Sequence, residues 1–291
     1  MINKSGPLFI FLSAFLWSLA GIFTKSVEWN GVCLATLRGI IAFIVALVLV
    51  KAKGQKLELN AVRILCAVCY FLQGILFMCA NKYTTAGNAA VLQNMSPLYI
   101  ILMNAFISKK PPSKKEVIVC AILFLGVGLA FAGNLGGGAA LGNIFAMFSA
   151  LFYAGVYFLS KQEGADPIQS LLLGNGCYLF LIPVMLRDPV VLHTSTGDWI
   201  FLLIFASLSG IVAWLCFAVG IRYSTALQAG FIALAEPVMA PLWTFIFLHE
   251  KVSMLSLVGF VIVIITLLVY NLSVSGTGAE KTKERVSQLS S

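Results

Sequence analysis

Two formal charges, Arg38 and Glu236, lie well inside apolar stretches of this 291-residue chain. A charge in the hydrocarbon part of a bilayer costs roughly 3 kcal/mol on insertion scales, so a functional role is the default hypothesis for such a residue. Glu236 is predicted to hold a substrate ammonium group or a coupling proton; the alternative is a structural ion pair, with Arg38 as partner. Arg38 is predicted to hold a substrate carboxylate as a bidentate fork; the alternative is snorkelling or bonding to backbone carbonyls.

Composition indicates the environment of these charges. Hydrophobic residues make up 60% of the chain and charged residues 10%, against roughly 25% charged in soluble domains. This excludes a soluble globular enzyme, a disordered protein and a disulfide scaffold. The seven cysteines lack the second pair or histidine cluster of a metal site, and there is no GxxxxGK[ST] motif or credible Ser/His/Asp arrangement. We therefore expect no metal, no cofactor and no enzymatic activity.

Ten apolar runs are each about long enough to cross a bilayer as a helix. The runs are 7–27, 31–50, 62–83, 86–108, 116–134, 140–160, 168–186, 199–221, 225–248 and 254–272. With both termini inside, the inner connectors and tails hold fourteen Lys and Arg residues and the outer connectors hold four. This asymmetry predicts a cell-membrane protein with cytoplasmic termini, and it accounts for the net charge of +8 without nucleic acid.

The two halves of the chain resemble each other. The segment Lys82-Tyr83-Thr84-Thr85-Ala86 corresponds to Arg222-Tyr223-Ser224-Thr225-Ala226 at an offset of 140, which also pairs Pro97 with Pro237. An offset of 136 pairs Trp17 with Tyr153 and Lys25 with Lys161. Because each copy has an odd number of spans, the second must be inverted, which is common in secondary transporters. The predicted fold is thus all-α integral membrane, ten helices as a 5+5 inverted repeat: residues 1–136, residues 137–273 and a disordered tail at 274–291.

The candidate site residues follow from the repeat and from helical spacing. Pro97 and Pro237, near the middle of spans four and nine, are predicted hinges or cavity walls, although proline also occurs in ordinary membrane helices. Small or polar stripes on spans four and nine predict a cavity lining, with close helix packing as the alternative. Aromatic and hydroxyl groups on spans one and six suit an apolar or cationic organic solute, with an interfacial aromatic belt as the alternative. The predicted substrate-binding residues are Ser13, Trp17, Arg38, Gln93, Ser96, Tyr99, Tyr153, Tyr157, Trp214, Glu236 and Trp243, and the secondary candidates are Gln73, Asn88, Asn94, Asn175 and Gln228.

These residues also resemble a known family. The pattern comprises Trp17 with Lys25, Arg38, the Lys82 stretch leading to Ser96-Pro97, its copy leading to Glu236-Pro237, and His249-Glu250-Lys251. It is similar to the EamA-type transporters of the drug/metabolite transporter superfamily. One departure is Lys110, where the resemblance implies an acidic residue like Glu250 in the second copy. The resemblance implies export of amino acids or other metabolites, and also uptake in some members.

Together these observations predict a secondary active transporter for a small organic metabolite (an amino acid, an amine or a similar solute). It is expected to work by alternating access, with export favoured and with coupling to protons or exchange. The alternatives are a membrane sensor or assembly protein, for which the connectors are short, and a channel, for which the polar residues are too scattered. Expected partners are the substrate and the lipid bilayer. Substrate, coupling ion, direction and oligomeric state stay open.

Overall fold

A computed structural model of the chain describes residues 5–52, 54, 56–109, 111–133, 139–160, 162–223, 232 and 235–270. Within these ranges the protein is helical and has no β-strand. Eight helical stretches are long and apolar enough to cross a membrane: Gly6–Lys25, Gly31–Ala52, Ala61–Tyr83, Ala86–Phe106, Lys114–Ala132, Ala139–Leu159, Ile168–Arg187 and Thr196–Phe217. Two shorter apolar helices, Ala235–Leu248 and Met254–Tyr270, follow.

The all-helical membrane class is therefore confirmed, and eight of the predicted runs correspond to long apolar helices. The ninth and tenth runs correspond to shorter helices, so the count of ten spans stays a prediction. The beginning of the ninth run, Gln228, the connector 134–138 and the tail at 274–291 lie outside the described residues.

In chain order the helices are α1 (Ser5–Ser18), α2 (Ala20–Lys25), α3 (Gly31–Ala52), α4 (Ala61–Tyr83), α5 (Ala86–Gln93), α6 (Ser96–Ser108), α7 (Lys114–Ala132), α8 (Ala139–Leu159), α9 (Pro167–Gly176), α10 (Ile182–Arg187), α11 (Pro189–Leu192), α12 (Thr196–Ser207), α13 (Ala213–Tyr223), α14 (Ala235–Leu248) and α15 (Met254–Tyr270).

Four of the long stretches are interrupted. The chain turns at Leu19 between α1 and α2, and at Asn94 and Met95 between α5 and α6. A 3₁₀ turn, Cys177–Leu181, separates α9 from α10, and a π turn, Leu208–Val212, separates α12 from α13. Interruptions of this kind leave backbone groups without their regular helical partners. At membrane depth they are tolerated only where protein or a water-filled cavity surrounds them.

The prolines that were predicted as hinges lie at helix beginnings. Pro97 is the second residue of α6, where its missing N–H costs no helical bond, and Pro237 is the third residue of α14. Pro241, which the sequence reasoning did not single out, lies inside α14. Span four is therefore interrupted just before Pro97 and is not kinked around it.

The chain after α6 and the chain after α14 have the same local geometry. Lys109 and His249 both have a φ of 51°, and they are 140 residues apart. The next helix then begins on a serine cap in both places. The Ser113 Oγ accepts from the Glu116 N–H at 3.3 Å and the Ser253 Oγ accepts from the Ser256 N–H at 3.0 Å. A left-handed residue ends each helix and a hydroxyl cap begins the next one, which agrees with the 140-residue offset in the sequence.

Small residues bring the helices together, and large apolar residues point outwards. A Cβ on Gly155 of α8 would lie 2.9 Å from the Cys69 Sγ, and a Cβ on Gly174 of α9 would lie 2.7 Å from the Ala67 carbonyl oxygen. α4 therefore packs closely against both helices. The surface carries rows of exposed Leu, Ile, Val and Phe, such as Phe106 at 87% and Phe180 at 84% exposure. An outer surface of this kind suits contact with lipid tails.

Candidate binding cavity

A cavity of about 740 Å³ lies between the helices. Its described lining combines aromatic rings with amide, hydroxyl and charged groups, whose residues are Trp17, Arg38, Tyr70, Gln73, Phe77, Gln93, Asn94, Ser96, Tyr153, Tyr157, Ser160, Asp166, Asn175, Tyr178, Ser209, Trp214, Phe217 and Glu236. Its volume falls within the range of small-molecule sites, which are mostly apolar and have a few placed polar groups. The cavity can accommodate a small organic solute.

All four helix interruptions meet at this cavity. Trp17 and Ala20 flank the turn at Leu19, and Asn94 and Ser96 flank the turn in span four. Tyr178 belongs to the 3₁₀ turn, and Ser209 and Gly210 belong to the π turn. The irregular backbone therefore surrounds the cavity, where its polar groups can bind a solute or water.

The interruptions are held in place by specific contacts. The Trp17 indole N–H donates to the Ser209 carbonyl oxygen at 3.1 Å, so the first span is tied to the π turn. The Trp17 ring also packs against Phe217 with a centroid distance of 5.6 Å. The Tyr178 hydroxyl donates to the Phe71 carbonyl oxygen at 2.9 Å and links the 3₁₀ turn to α4.

Arg38, on α3, lies in a narrow space beside Gly74 and Gly210. A Cβ on Gly74 would lie 3.4 Å from an Arg38 guanidinium nitrogen, and a Cβ on Gly210 would lie 3.1 Å from the Arg38 Cγ. The absence of side chains at both glycines gives the arginine its room. Arg38 borders the cavity, and a guanidinium can donate several hydrogen bonds in one plane.

Glu236 lines the cavity together with a group of aromatic residues that includes Tyr153 and Tyr157. The Tyr157 hydroxyl donates to the Tyr153 hydroxyl at 3.2 Å, and the two rings are 4.9 Å apart. A carboxylate beside several aromatic faces is chemically suited to an organic cation.

Arg38 and Glu236 do not form an ion pair. In the part of the chain that the structure describes, the ion pairs are Lys25 with Glu250 at 2.6 Å and Arg63 with Glu58 at 3.2 Å. Asp166 also lines the cavity, but its carboxylate is occupied as the cap of α9, since Oδ1 accepts from the Ile168 and Gln169 N–H groups at 3.0 and 3.1 Å. Arg38 and Glu236 are thus the charged groups best placed to bind a ligand.

Most of the predicted binding residues line the cavity together: Trp17, Arg38, Gln93, Ser96, Tyr153, Tyr157, Trp214 and Glu236, with Pro97 beside them. Gln93 is also tied to α8, because its amide nitrogen donates to the Ser149 Oγ at 3.0 Å. Of the secondary candidates, Gln73, Asn94 and Asn175 line it as well.

Four predicted residues lie elsewhere. Ser13 is fully buried inside the bundle, and its hydroxyl is without a hydrogen-bond partner among the described residues. Tyr99 packs against the hydrophobic core, and Pro237 is buried away from the described lining. Trp243 donates its indole N–H to the Ser18 Oγ at 3.0 Å. These residues have suitable types, but a helix face at one angle can meet either a neighbouring helix or the cavity.

The sequence reasoning missed four aromatic lining residues, Tyr70, Phe77, Tyr178 and Phe217. Each lies three or four residues from a candidate that it did name, namely Gln73, Asn175 or Trp214. Residues three or four apart share a helix face. This spacing was the available signal.

The cavity extends towards one end of the helices. Its lining includes Ser160, just after α8, and Asp166 and Ile168 at the beginning of α9. At the opposite end lie Lys25, Thr84 and Glu250, none of which is among its described lining residues. The described lining therefore reaches one end of the bundle and stops short of the other.

A polar and aromatic cavity at interrupted helices of a multi-pass helical protein is typical of membrane transporters. Comparison with known families agrees with this class. The model of the EamA-like transporter family matches residues 4–132 and again residues 140–272, so the chain belongs to this family.

Known relatives are distant. The chain is 25% identical over 263 residues to an uncharacterized transporter of Archaeoglobus fulgidus, covering 88% of this chain and 92% of that protein. It is 24% identical over 285 residues to an uncharacterized transporter of Clostridium kluyveri, covering 90% and 91%. Protein PecM of Dickeya dadantii is 24% identical over 204 residues, 67% of each chain. One solved crystal structure matches at a TM-score of 0.59 and 17% identity, covering 93% of this chain and 97% of that one. This last likeness concerns the fold alone.

Proposed function

We propose that the protein is a secondary active transporter that carries a small organic metabolite bearing an ammonium group, such as an amino acid or an amine. The observation that carries the proposal is the cavity, in which Arg38 and Glu236 face a ligand-sized space without forming an ion pair together. Glu236 would bind the ammonium group beside Tyr153 and Tyr157. Arg38 would bind a carboxylate where the solute has one.

The proposed architecture is ten spans in two inverted repeats, with 1–136 and 137–273 as the repeats and both termini in the cytoplasm. It is supported by the offsets of 136 and 140 and by the excess of Lys and Arg in the inner connectors. The family match to each half and the equal φ values at Lys109 and His249 support it as well. On this orientation the described cavity lining reaches the cytoplasmic end.

The proposed mechanism is alternating access in the cell membrane. Rocking of the two repeats would expose the cavity to each side in turn, with movement at the interruption before Pro97 and around Pro237. Such a carrier makes and breaks no covalent bond and uses no cofactor. Export is the favoured direction by family resemblance.

Coupling is proposed to occur at Glu236. A carboxylate that binds an ammonium group must be ionised, so a proton and a cationic solute exclude each other there. Competition at one group would exchange one proton for one solute. If Glu236→Gln leaves both the transport rate and its pH dependence intact, this role is wrong.

The experiment is a thermal-shift screen on the purified protein with amino acids, amines, nucleobases and vitamins. A ligand that binds the folded state raises the melting temperature. A hit is then tested for counterflow in proteoliposomes, because only a carrier exchanges labelled for unlabelled solute. A channel would give passive equilibration alone, and a sensor or assembly protein would give binding without flux.

A further inference from the structure

A second charged cluster lies away from the cavity. The Lys25 Nζ donates to the Glu250 Oε1 at 2.6 Å and to the Thr84 carbonyl oxygen at 2.8 Å. The Glu250 Oε2 accepts from the Ala86 N–H at 3.0 Å, in the first turn of α5. The two charged side chains are 22% and 14% exposed, so water and salt screen them less than a surface pair. We call these four residues the outer latch.

Three short helical arms connect the outer latch to the cavity. α2 runs from the lining residue Ala20 to Lys25, and α5 runs from Ala86 to the lining residue Gln93. α14 carries the lining residue Glu236 in its first turn and ends two residues before Glu250. A rigid helix transmits a displacement of one end to the other. Breaking the contacts of the latch would therefore move the walls of the cavity.

The three arms meet without space between them. A Cβ on Gly21 of α2 would overlap the Ala86 Cβ and lie 3.3 Å from the Thr244 Cγ2 of α14. A Cβ on Gly87 of α5 would lie 2.9 Å from the Pro241 Cβ of α14. Thr24 and Thr244 are fully buried in this region. These contacts between α2, α5 and α14 close the cavity on the side of the outer latch.

The sequence repeat does not repeat this pair of opposite charges. The offset of 140 relates Glu250 to Lys110, and the offset of 136 relates Lys25 to Lys161, and both of these lysines lie outside the described residues. Two lysines repel each other and cannot form such a pair. The described cavity lining reaches the end of the bundle opposite to the outer latch, at Ser160 and Asp166.

We propose that the outer latch, Lys25 with Glu250 on the first turn of α5, keeps the extracellular end of the carrier closed and makes the inward-facing state its resting state. The terms extracellular and carrier rest on the proposed function and orientation. The latch has a fixed polarity, because the cation meets a carbonyl oxygen and the anion meets a backbone N–H at a helix N-terminus. Exchanging the two charges would place each of them against the wrong backbone group.

The test measures access to the cavity and needs no substrate. The seven native cysteines are replaced by alanine, and Ala42→Cys on α3 provides one reporter in the cavity lining. A membrane-impermeant charged methanethiosulfonate reagent is added to right-side-out membrane vesicles, and the thiols left unmodified are counted with a fluorescent maleimide. Glu58→Ala is the matched control, since it removes the other described ion pair, which lies near the opposite end.

We expect Lys25→Ala and Glu250→Ala each to accelerate labelling from outside about tenfold, the size of effect that a charge-assisted hydrogen bond supports. The double variant should label no faster than either single variant, because both remove the same interaction. Glu250→Gln should be intermediate, and the charge-exchanged variant K25E/E250K should label as fast as the single variants. Glu58→Ala should label as slowly as the parent.

Unchanged labelling in the Lys25 and Glu250 variants would overturn the proposal. Equal acceleration in Glu58→Ala would also overturn the proposal, because it would indicate a general loosening of the protein. Additive effects in the double variant would overturn it as well, because they would show that the two residues act independently. If faster labelling appeared only in inside-out vesicles, the latch would close the cytoplasmic end, and the proposal that it closes the extracellular end would be overturned. The melting temperature and size-exclusion profile of each variant are compared with those of the parent to check folding. If an alanine variant does not fold, Glu250→Gln tests the latch instead, because its side chain keeps an acceptor for the Ala86 N–H. Since no solute is used, the latch can fail or succeed independently of the transport proposal.

Discussion

The two halves of the chain have similar frameworks and different charges. Lys109 and His249 adopt the same left-handed conformation, and Ser113 and Ser253 cap the helices that follow. In the same alignment of the halves, however, Ser96 corresponds to Glu236 and Lys110 corresponds to Glu250. The framework residues position the helices, and the residues that differ are those to which we assign solute binding and closure. A symmetric framework therefore carries an asymmetric set of charges.

The largest difference in transport rate is expected between substitutions at the corresponding positions 96 and 236. Glu236→Gln removes a charge that borders the cavity and should lower the uptake rate in counterflow at least about tenfold, because a charged partner contributes strongly in a desolvated site. Ser96→Ala, its counterpart in the first half, should change the rate less than about twofold. Equal effects at the two positions would contradict the assignment of function to the asymmetric charges.

Arg38 should affect solutes selectively. Arg38→Lys keeps the positive charge but loses the planar fork, so the half-saturating concentration of a solute with a carboxylate should rise about tenfold. For an amine without a carboxylate the value should stay unchanged. A radiotracer competition assay with both kinds of solute measures this. If Arg38 only snorkels towards the membrane surface, lysine should serve as well for both solutes.

A buried polar network joins the two halves. Asn143 in α8 accepts from the Thr84 Oγ1 at 2.6 Å and from the Asn88 amide at 3.2 Å. Asn143→Leu would leave these donors without this acceptor, and we expect a loss of about 1–2 kcal/mol in the free energy of unfolding. Thermal unfolding in detergent measures it. Phe148→Leu, on the exposed surface of the same helix, is the control and should shift stability by less than about 0.5 kcal/mol.

The smallest effects on the free energy of unfolding are expected at the paired serine caps. Ser113→Ala and Ser253→Ala should each cost about 1 kcal/mol, because each removes the acceptor for an N–H in the first helical turn. The same unfolding assay applies. A loss at one position and none at the other would show that the two turns are not equivalent in energy.

Much of the fold was predictable because periodicity is not needed to find membrane helices. Length and apolarity suffice, and eight predicted runs correspond to long helices. The 3₁₀ turn and the π turn were not predicted, because Cys177–Leu181 and Leu208–Val212 are apolar sequences like the rest of their spans. Their conformation depends on partners elsewhere, such as Trp17, which donates to the Ser209 carbonyl oxygen.

The site residues were predictable where the type of residue alone indicates the surroundings of its side chain. Arg38 and Glu236 stood out because charges are costly in apolar spans, and both border the cavity. Ser13 and Trp243 lie outside its described lining, because helical spacing does not show which neighbour a helix face meets. The pairing of Lys25 with Glu250 was also unpredictable. The two residues are 225 positions apart, and charges at span ends are ordinary in sequence.

Above all, we propose that this protein exchanges a solute through the cavity at Glu236. Counterflow in proteoliposomes, with a solute that raises the melting temperature, is the decisive assay. We predict transient accumulation of labelled solute against unlabelled solute in the parent and in Ser96→Ala, and at least about a tenfold lower rate in Glu236→Gln. Equilibration without accumulation, or full counterflow in Glu236→Gln, would contradict it.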